Sequence, residues 1–135
     1  MITVQQYFGP WMFHEDATPQ RMIDANVLVD KVNGLMEELE LMGVKFPINP
    51  ATGSQVSGQT YGGFRPQSCA QGAPDSSHKQ GQGVDIYDPK NEIDDAITDQ
   101  LLIAHDLYRE APNATMGWAH ISTRPPRSGN RTFQP

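Results

Sequence analysis

The longest run of regularly spaced apolar residues lies in the first third of the chain. Its members recur every three or four residues, which is the spacing of one helical face: Met22, Ala25, Val29, Val32, Met36 and Leu39. Thr18-Pro19 before this run is a favourable helix start, and Gly43 after it is a typical stop. The pattern therefore predicts a core helix over residues 19–42.

A second helical pattern follows Asp88-Pro89, and Glu92 would stabilise its first turn. Pro112-Asn113 ends the pattern. Its apolar stripe comprises Ile93, Ile97, Leu101, Ala104 and Tyr108. We expect a second principal helix here, packed on a sheet.

The clearest strand pattern is the alternation of apolar and polar side chains over residues 84–87. On a strand, Asp85 and Tyr87 share one face, while Val84 and Ile86 share the other. The carboxylate can therefore face a cleft while the aliphatic pair anchors the core.

Two further segments are candidate strands. Residues 116–123 place Trp118 and His120 on one face, and residues 60–66 read as a short strand that enters a turn. With the two helices, these strands predict an α+β fold that has a small, mainly antiparallel sheet.

The remaining segments lack a core pattern. We expect residues 1–17 to form an irregular arm whose aromatic side chains pack on the domain, since their exposure to water would be costly. Residues 124–135 are expected to form a tail on the surface, with Phe133 as an anchor. A chain of 135 residues is predicted to be a single domain.

Composition narrows the classes of function. A net charge of -6 argues against nucleic acid as a partner, because nonspecific affinity for phosphates depends on clustered Lys and Arg. The single cysteine, Cys69, excludes an intrachain disulfide and a Cys-based zinc finger. No apolar run approaches the roughly twenty residues that a membrane span needs, and the N-terminus does not resemble a signal peptide.

His78, Asp85 and His120 are the strongest candidates for chemistry. His78 and Asp85 lie in a Gly-rich stretch, and His120 follows Trp118 closely. Two imidazoles and one carboxylate form a catalytic zinc complement, since three protein ligands leave a fourth position open. We therefore expect one Zn²⁺ in a cleft on the sheet. Such an ion acidifies water and polarises a carbonyl, which favours hydrolysis of an amide or ester.

Two further roles stay open at this point. Hydrolysis also needs a general base, and spacing alone does not choose among Glu110, Asp75 and Asp88. Arg65 precedes Pro66, which holds its backbone extended. Its guanidinium is equally suited to a bidentate grip on a substrate carboxylate and to a structural ion pair.

Three motifs occur in a fixed order: Gly63-Phe64-Arg65-Pro66, Ser77-His78-Lys79-Gln80-Gly81-Gln82-Gly83-Val84-Asp85-Ile86 and Gly117-Trp118-Ala119-His120. Together they resemble the zinc D-Ala-D-Ala carboxypeptidase family over roughly residues 18–123. That family includes dipeptidases and phage L-alanyl-D-glutamate endopeptidases, and it shares a fold with the hedgehog signalling domain. The resemblance implies the hedgehog/D,D-peptidase fold.

The resemblance also implies roles for individual residues. His78, Asp85 and His120 would be the zinc ligands. Arg65 would hold the free carboxylate of a peptidoglycan stem peptide. Ser77 and Trp118, which lie inside the matched motifs, would contact the same substrate.

One position departs from the family pattern. Many members carry a catalytic Glu three residues before the second His, where this chain has Gly117. Glu110 is our candidate for the missing base. The alternative is a non-catalytic wall-binding or structural virion module that keeps the fold and the metal.

The resemblance and the lack of a leader suggest a cellular setting. We expect a phage-derived protein that is made in the bacterial cytoplasm and acts at the cell wall or periplasm, or as a virion component. Association with phage tail or lysis proteins would be consistent with that setting.

Overall fold

The structure is a computed structural model that describes all 135 residues. It is α+β, as the sequence predicted. The helices are α1 (Val4–Phe8), α2 (Pro19–Leu41), α3 (Glu92–Ala96) and α4 (Asp99–His105). The strands are β1 (Gly83–Tyr87), β2 (Tyr108–Glu110), β3 (Trp118–Ser122) and β4 (Thr132–Phe133). Short 3-10 turns occur at Gly9–Trp11, Ser77–Gln80 and Pro112–Ala114.

Helix α2 forms where its apolar periodicity predicted it. The hydroxyl of Thr18 accepts a hydrogen bond from the amide of Arg21 at 3.3 Å, and Pro19 occupies the first turn. The face that packs into the core consists of Ala25, Leu28, Val29, Val32, Leu35, Met36 and Leu39. None of the helices combines the length and the apolar character that crossing a bilayer requires.

The prediction of one continuous second helix is wrong, because the chain forms two shorter helices, α3 and α4. Ile97 is extended, and the hydroxyl of Thr98 accepts a hydrogen bond from the amide of Leu101 at 3.2 Å. This cap starts a new helix, so local capping chemistry overrides the continuous apolar period. Asp106 in the left-handed conformation ends α4, and Tyr108 belongs to β2 instead of the predicted helical stripe.

The sheet has the strand order β1-β3-β2-β4. Strand β3 pairs antiparallel with β1 and with β2, as predicted for a mainly antiparallel sheet. Strands β2 and β4 pair in parallel, so the sheet is mixed. Residues 60–66 do not form the predicted strand: residues 60–62 are in a turn and residues 64–66 are irregular, although the carbonyl of Gly62 accepts a hydrogen bond from the amide of Asp85 at 2.7 Å.

The two ends of the chain are more ordered than expected. The arm contains α1, and its Tyr7 and Phe8 are buried as predicted, whereas Phe13 is 97% exposed. In the tail, Phe133 pairs with β2: its carbonyl accepts a hydrogen bond from the amide of Ala111 at 2.7 Å. The tail therefore extends the sheet instead of lying loosely on the surface.

Candidate metal centre

Strand register brings Asp85 and His120 together. The two residues are directly opposite each other in the antiparallel β1–β3 pair. Val84 and Ile86, on either side of Asp85, are fully buried in the core. As predicted from the alternation, Asp85 points away from that core and lines a cleft of about 550 Å³.

The strand register also places Glu110 beside His120. Strand β2 pairs with β3 through Tyr108↔Ser122 and Arg109↔Ile121, and one further step places Glu110 beside His120. Glu110 is half-buried and lines the same cleft as His120. Three adjacent strands thus present Asp85, His120 and Glu110 on one face.

His78 reaches this face of the sheet from the 3-10 turn Ser77–Gln80. The hydroxyl of Ser76 caps the turn by accepting a hydrogen bond from the amide of His78 at 3.3 Å. Gly83 lets the turn approach the sheet closely, because a Cβ there would clash with the Ser77 hydroxyl. The imidazole of His78 is held by a 2.8 Å contact between its Nδ1 and the carbonyl oxygen of Gly63.

The three predicted ligands form one buried cluster. One ligand atom from each of His78, Asp85 and His120 lies within 4.8 Å of the others. Asp85 Oδ1 is 3.3 Å from Nε2 of His78 and 2.8 Å from Nδ1 of His120. Such a group could hold a metal ion.

The tautomer of His78 determines what these short distances mean. Nδ1 must carry a proton, because its partner is a carbonyl oxygen that can only accept. In a neutral imidazole Nε2 then has a lone pair, and that lone pair faces the Asp85 carboxylate. Two acceptors in this arrangement require a second proton or a cation between them.

The donor set suits a divalent metal ion such as zinc. Nitrogen and oxygen ligands about 2.0–2.1 Å from a tetrahedral ion lie about 3.3 Å apart. The separation between His78 and Asp85 matches that spacing at 3.3 Å, and the separation between His120 and Asp85 is slightly shorter at 2.8 Å.

The pKa values of Asp85 and His120 are both shifted by their neighbours in the cluster. Burial acts to raise the pKa of Asp85, but the His78 charge and the hydrogen bond from His120 outweigh it and hold that pKa well below its usual range. Burial acts to lower the pKa of His120, but its hydrogen bond to Asp85 raises it overall. The charge of Glu110 contributes to the rise of the His120 pKa.

Arg65 lies at the edge of the cluster, where it is only 14% exposed. Its Nη2 is 3.5 Å from Asp85 Oδ2, and its Nε donates to the carbonyl of Tyr61 at 2.8 Å. Arg65 therefore makes a structural ion pair and also lines the cleft. The predicted grip on a substrate carboxylate and the structural ion pair are therefore compatible with one position of Arg65.

Ser77 and Trp118 both border the cleft. Ser77 is buried, and its hydroxyl lies 3.4 Å from Nε2 of His120, the ring nitrogen opposite the one that faces Asp85. That contact orients the His120 ring, and the substrate contact of Ser77 stays a prediction. Trp118 is half-buried at the start of β3.

The three candidates for the general base differ in whether they line the cleft. Glu110 and Asp75 line the cleft. Asp88 does not, because its carboxylate accepts hydrogen bonds from the amides of Ile93 and Asp94 and so caps α3. Gly117 has a positive φ of 95° and lies outside the cleft lining. Glu110 is the carboxylate that strand register places next to His120.

Sequence reasoning missed part of the cleft wall. The tail contributes one side of it, through Arg124, Pro125, Pro126, Phe133 and Pro135. It also missed the carbonyl of Gly63 as the group that orients His78. The sequence shows the Arg and Pro residues of the tail, but their position beside the cleft depends on the parallel pairing of β4 with β2.

We compared the chain with family models, curated proteins and solved structures, and found no match in any of the three.

Proposed function

We propose that this protein is a zinc-dependent peptidase that hydrolyses stem peptides of bacterial peptidoglycan, as a carboxypeptidase or endopeptidase of phage origin. The observation that carries the proposal is the meeting of His78, Asp85 and His120 in a cleft that Arg65 and Glu110 also line. The order of its three motifs, which resembles that of the zinc D-Ala-D-Ala carboxypeptidases, supports the choice of substrate.

Each side chain has a defined task in this proposal. His78, Asp85 and His120 would hold the zinc ion, which when bound supplies a Lewis acid that acidifies water and polarises the scissile carbonyl. Glu110 would take a proton from the attacking water on its carboxylate and return it to the leaving amine. The Arg65 guanidinium would hold the free carboxylate of the peptide, and Trp118 would pack against the peptide.

The test is hydrolysis of defined substrates. Zinc-loaded protein is incubated with purified stem peptides and with peptidoglycan, and new termini are followed by mass spectrometry. We expect cleavage that stops when a chelator removes the metal and returns when zinc is restored. Absence of cleavage, or cleavage that the chelator does not affect, would refute the proposal.

A second candidate function is a wall-binding or virion module without turnover. Gly117 favours it, because this position, which carries the catalytic Glu in many members of the resembling family, has no side chain. Its φ of 95° lies in the left-handed region that favours glycine, so a Glu at this position would be strained although a Cβ would meet no atom within 4 Å. Tight binding of a stem peptide to the zinc-loaded protein without hydrolysis would support this module over the peptidase.

A further inference from the structure

Arg124 is a second arginine of the cleft that the proposed mechanism does not use. It follows the end of β3 at Ser122 and is half-buried. It lines the same cleft as Arg65. Its Nη1 donates to the carbonyl of Asp75 at 2.6 Å, which holds the guanidinium at the cleft.

The charge of Arg124 has no partner within the protein. No carboxylate lies within 4.0 Å of its guanidinium, whereas Arg109 and Arg131 each pair with an aspartate. Apart from the bond to Asp75, the side chain of Arg124 donates no hydrogen bond. Arg124 therefore offers free N–H donors to an anion in the cleft.

The two arginines border the same loop of the cleft wall. Nη1 of Arg65 lies beside Gly72, and Arg124 holds the carbonyl of Asp75 three residues later. Three apolar residues, Pro125, Pro126 and Phe133, line the same cleft as Arg124. Apolar neighbours lower the local dielectric on their side, which strengthens a guanidinium–carboxylate pair.

We infer that the cleft selects peptides with two carboxylates: Arg65 binds one beside the metal cluster, and Arg124 binds the other at the tail wall. This inference rests on the proposed function and names its substrate class as an acidic peptide with a free terminal carboxylate. Planar guanidinium groups bind carboxylates in a bidentate manner, so both anchors also orient the peptide.

The experiment measures binding of two synthetic stem-type peptides by calorimetry on zinc-loaded protein. Both have a free terminal carboxylate, and they differ only at the second residue, which is glutamate in one and its amide in the other. We expect wild type to bind the glutamate peptide roughly tenfold more tightly, which is the effect of one charged hydrogen bond. Arg124→Gln should reduce this preference to about twofold or less.

Arg127→Gln is the matched control, because Arg127 is exposed in the same tail and does not line the cleft. It should keep the full preference. Arg124→Lys, which keeps the charge without the planar fork, should keep part of it. Circular dichroism and zinc content establish that the variants fold and hold the ion.

The outcomes separate this inference from the proposed function. Equal affinity of wild type for the two peptides would overturn the inference even if both were cleaved, and so would an equal loss in Arg127→Gln. A preference that depends on Arg124 but comes without hydrolysis would support the inference, while the proposed catalysis would fail.

Discussion

Asp85 and Asp94 are two buried aspartates with opposite environments. Asp94 is sealed inside the protein with a side chain that is 0% exposed, and Thr115 donates to its Oδ2 at 2.9 Å. Arg109 Nη1 donates to the backbone carbonyl of Asp94 at 2.5 Å and lies 3.4 Å from Oδ1. Asp85 borders a cleft and has two imidazoles and Arg65 as neighbours.

Asp85 and Asp94 differ in whether all of the side chains that contact their carboxylates are hydrogen-bond donors. Burial raises the pKa of Asp94, and the bonds from Thr115 and Arg109 offset this only in part. Every side-chain partner of Asp94 is nevertheless a donor, so the network is complete without a ligand. Beside Asp85, the Nε2 of a neutral His78 presents an acceptor, so this network is completed only by a second proton or a cation. Buried carboxylates are therefore best distinguished by whether their neighbours all donate.

The largest effect should come from removing a ligand of the incomplete network. His78→Ala should lower the zinc content from about one ion per chain to near zero, because two ligands do not retain the ion through dialysis. Elemental analysis of untagged protein measures it. His14→Ala, on the N-terminal arm, should keep its zinc, and retention of zinc by His78→Ala would contradict the metal site.

A change at the edge of the same network should separate catalysis from metal binding. Glu110→Gln should lower kcat on a stem peptide by roughly 10²- to 10⁴-fold, because the neutral amide cannot accept the proton. Its zinc content should not change, since Glu110 is not a ligand. Glu37→Gln, at an exposed position of α2, is the control. Wild-type kcat in Glu110→Gln would exclude this residue as the base.

Asp94→Ala tests the complete network. It should lower the free energy of unfolding by about 3–5 kcal/mol, because it leaves the buried Arg109 unpaired. Denaturant titration followed by circular dichroism measures the loss, and the folded protein should still bind zinc. Asp95→Ala, at an exposed position next in sequence, should change stability by only about 0.5 kcal/mol or less.

Ser77→Ala should have a smaller effect on the incomplete network. The hydroxyl lies 3.4 Å from Nε2 of His120, so its removal should weaken zinc binding by about tenfold, at the low end for partners of metal ligands. Competition with a zinc indicator measures the affinity. Ser68→Ala, which is exposed, should match wild type; a similar loss in both variants would argue against a role for the hydroxyl.

The smallest effect concerns pH. Because the pKa of Asp94 is raised above 3.8 by folding, the folded state holds this proton more tightly than the unfolded state does. The contribution of Asp94 to stability should therefore fall as pH rises from about 3.8 to the folded pKa, by about 1.4 kcal/mol per pH unit. Comparing wild type with Asp94→Asn across this acidic window should reveal that slope, and parallel stability curves would contradict it.

Periodicity predicted the elements whose local pattern is strong. Helix α2, strand β1 and strand β3 repeat their apolar residues at the spacing that burial of one face requires. The break between α3 and α4 was missed because Ile93 and Ile97 continue the helical period across it. Only the capping hydroxyl of Thr98 marks the new start, and a hydroxyl there also suits the interior of a surface helix.

The sequence predicted the cluster of His78, Asp85 and His120 but not its surroundings. Residue type and order indicated His78, Asp85 and His120, whereas the neighbours depend on pairing between distant strands. Glu110 lies beside His120 through the β2–β3 register, and Arg124 reaches the cleft beside a tail held by two residues of β4. A two-residue strand has no periodicity to read, so no local pattern could predict this wall.

Tyr7 links the arm to the site in a way that bears on the order of folding. Its carbonyl accepts a hydrogen bond from the amide of Phe64, next to the Gly63 carbonyl that orients His78. Its hydroxyl donates to the carbonyl of Gly83, 76 residues away along the chain, at 3.0 Å. Contacts of such long sequence separation have the largest entropic cost of closure and form late. We therefore expect the pocket of His78 to be completed only when the first residues of the chain dock.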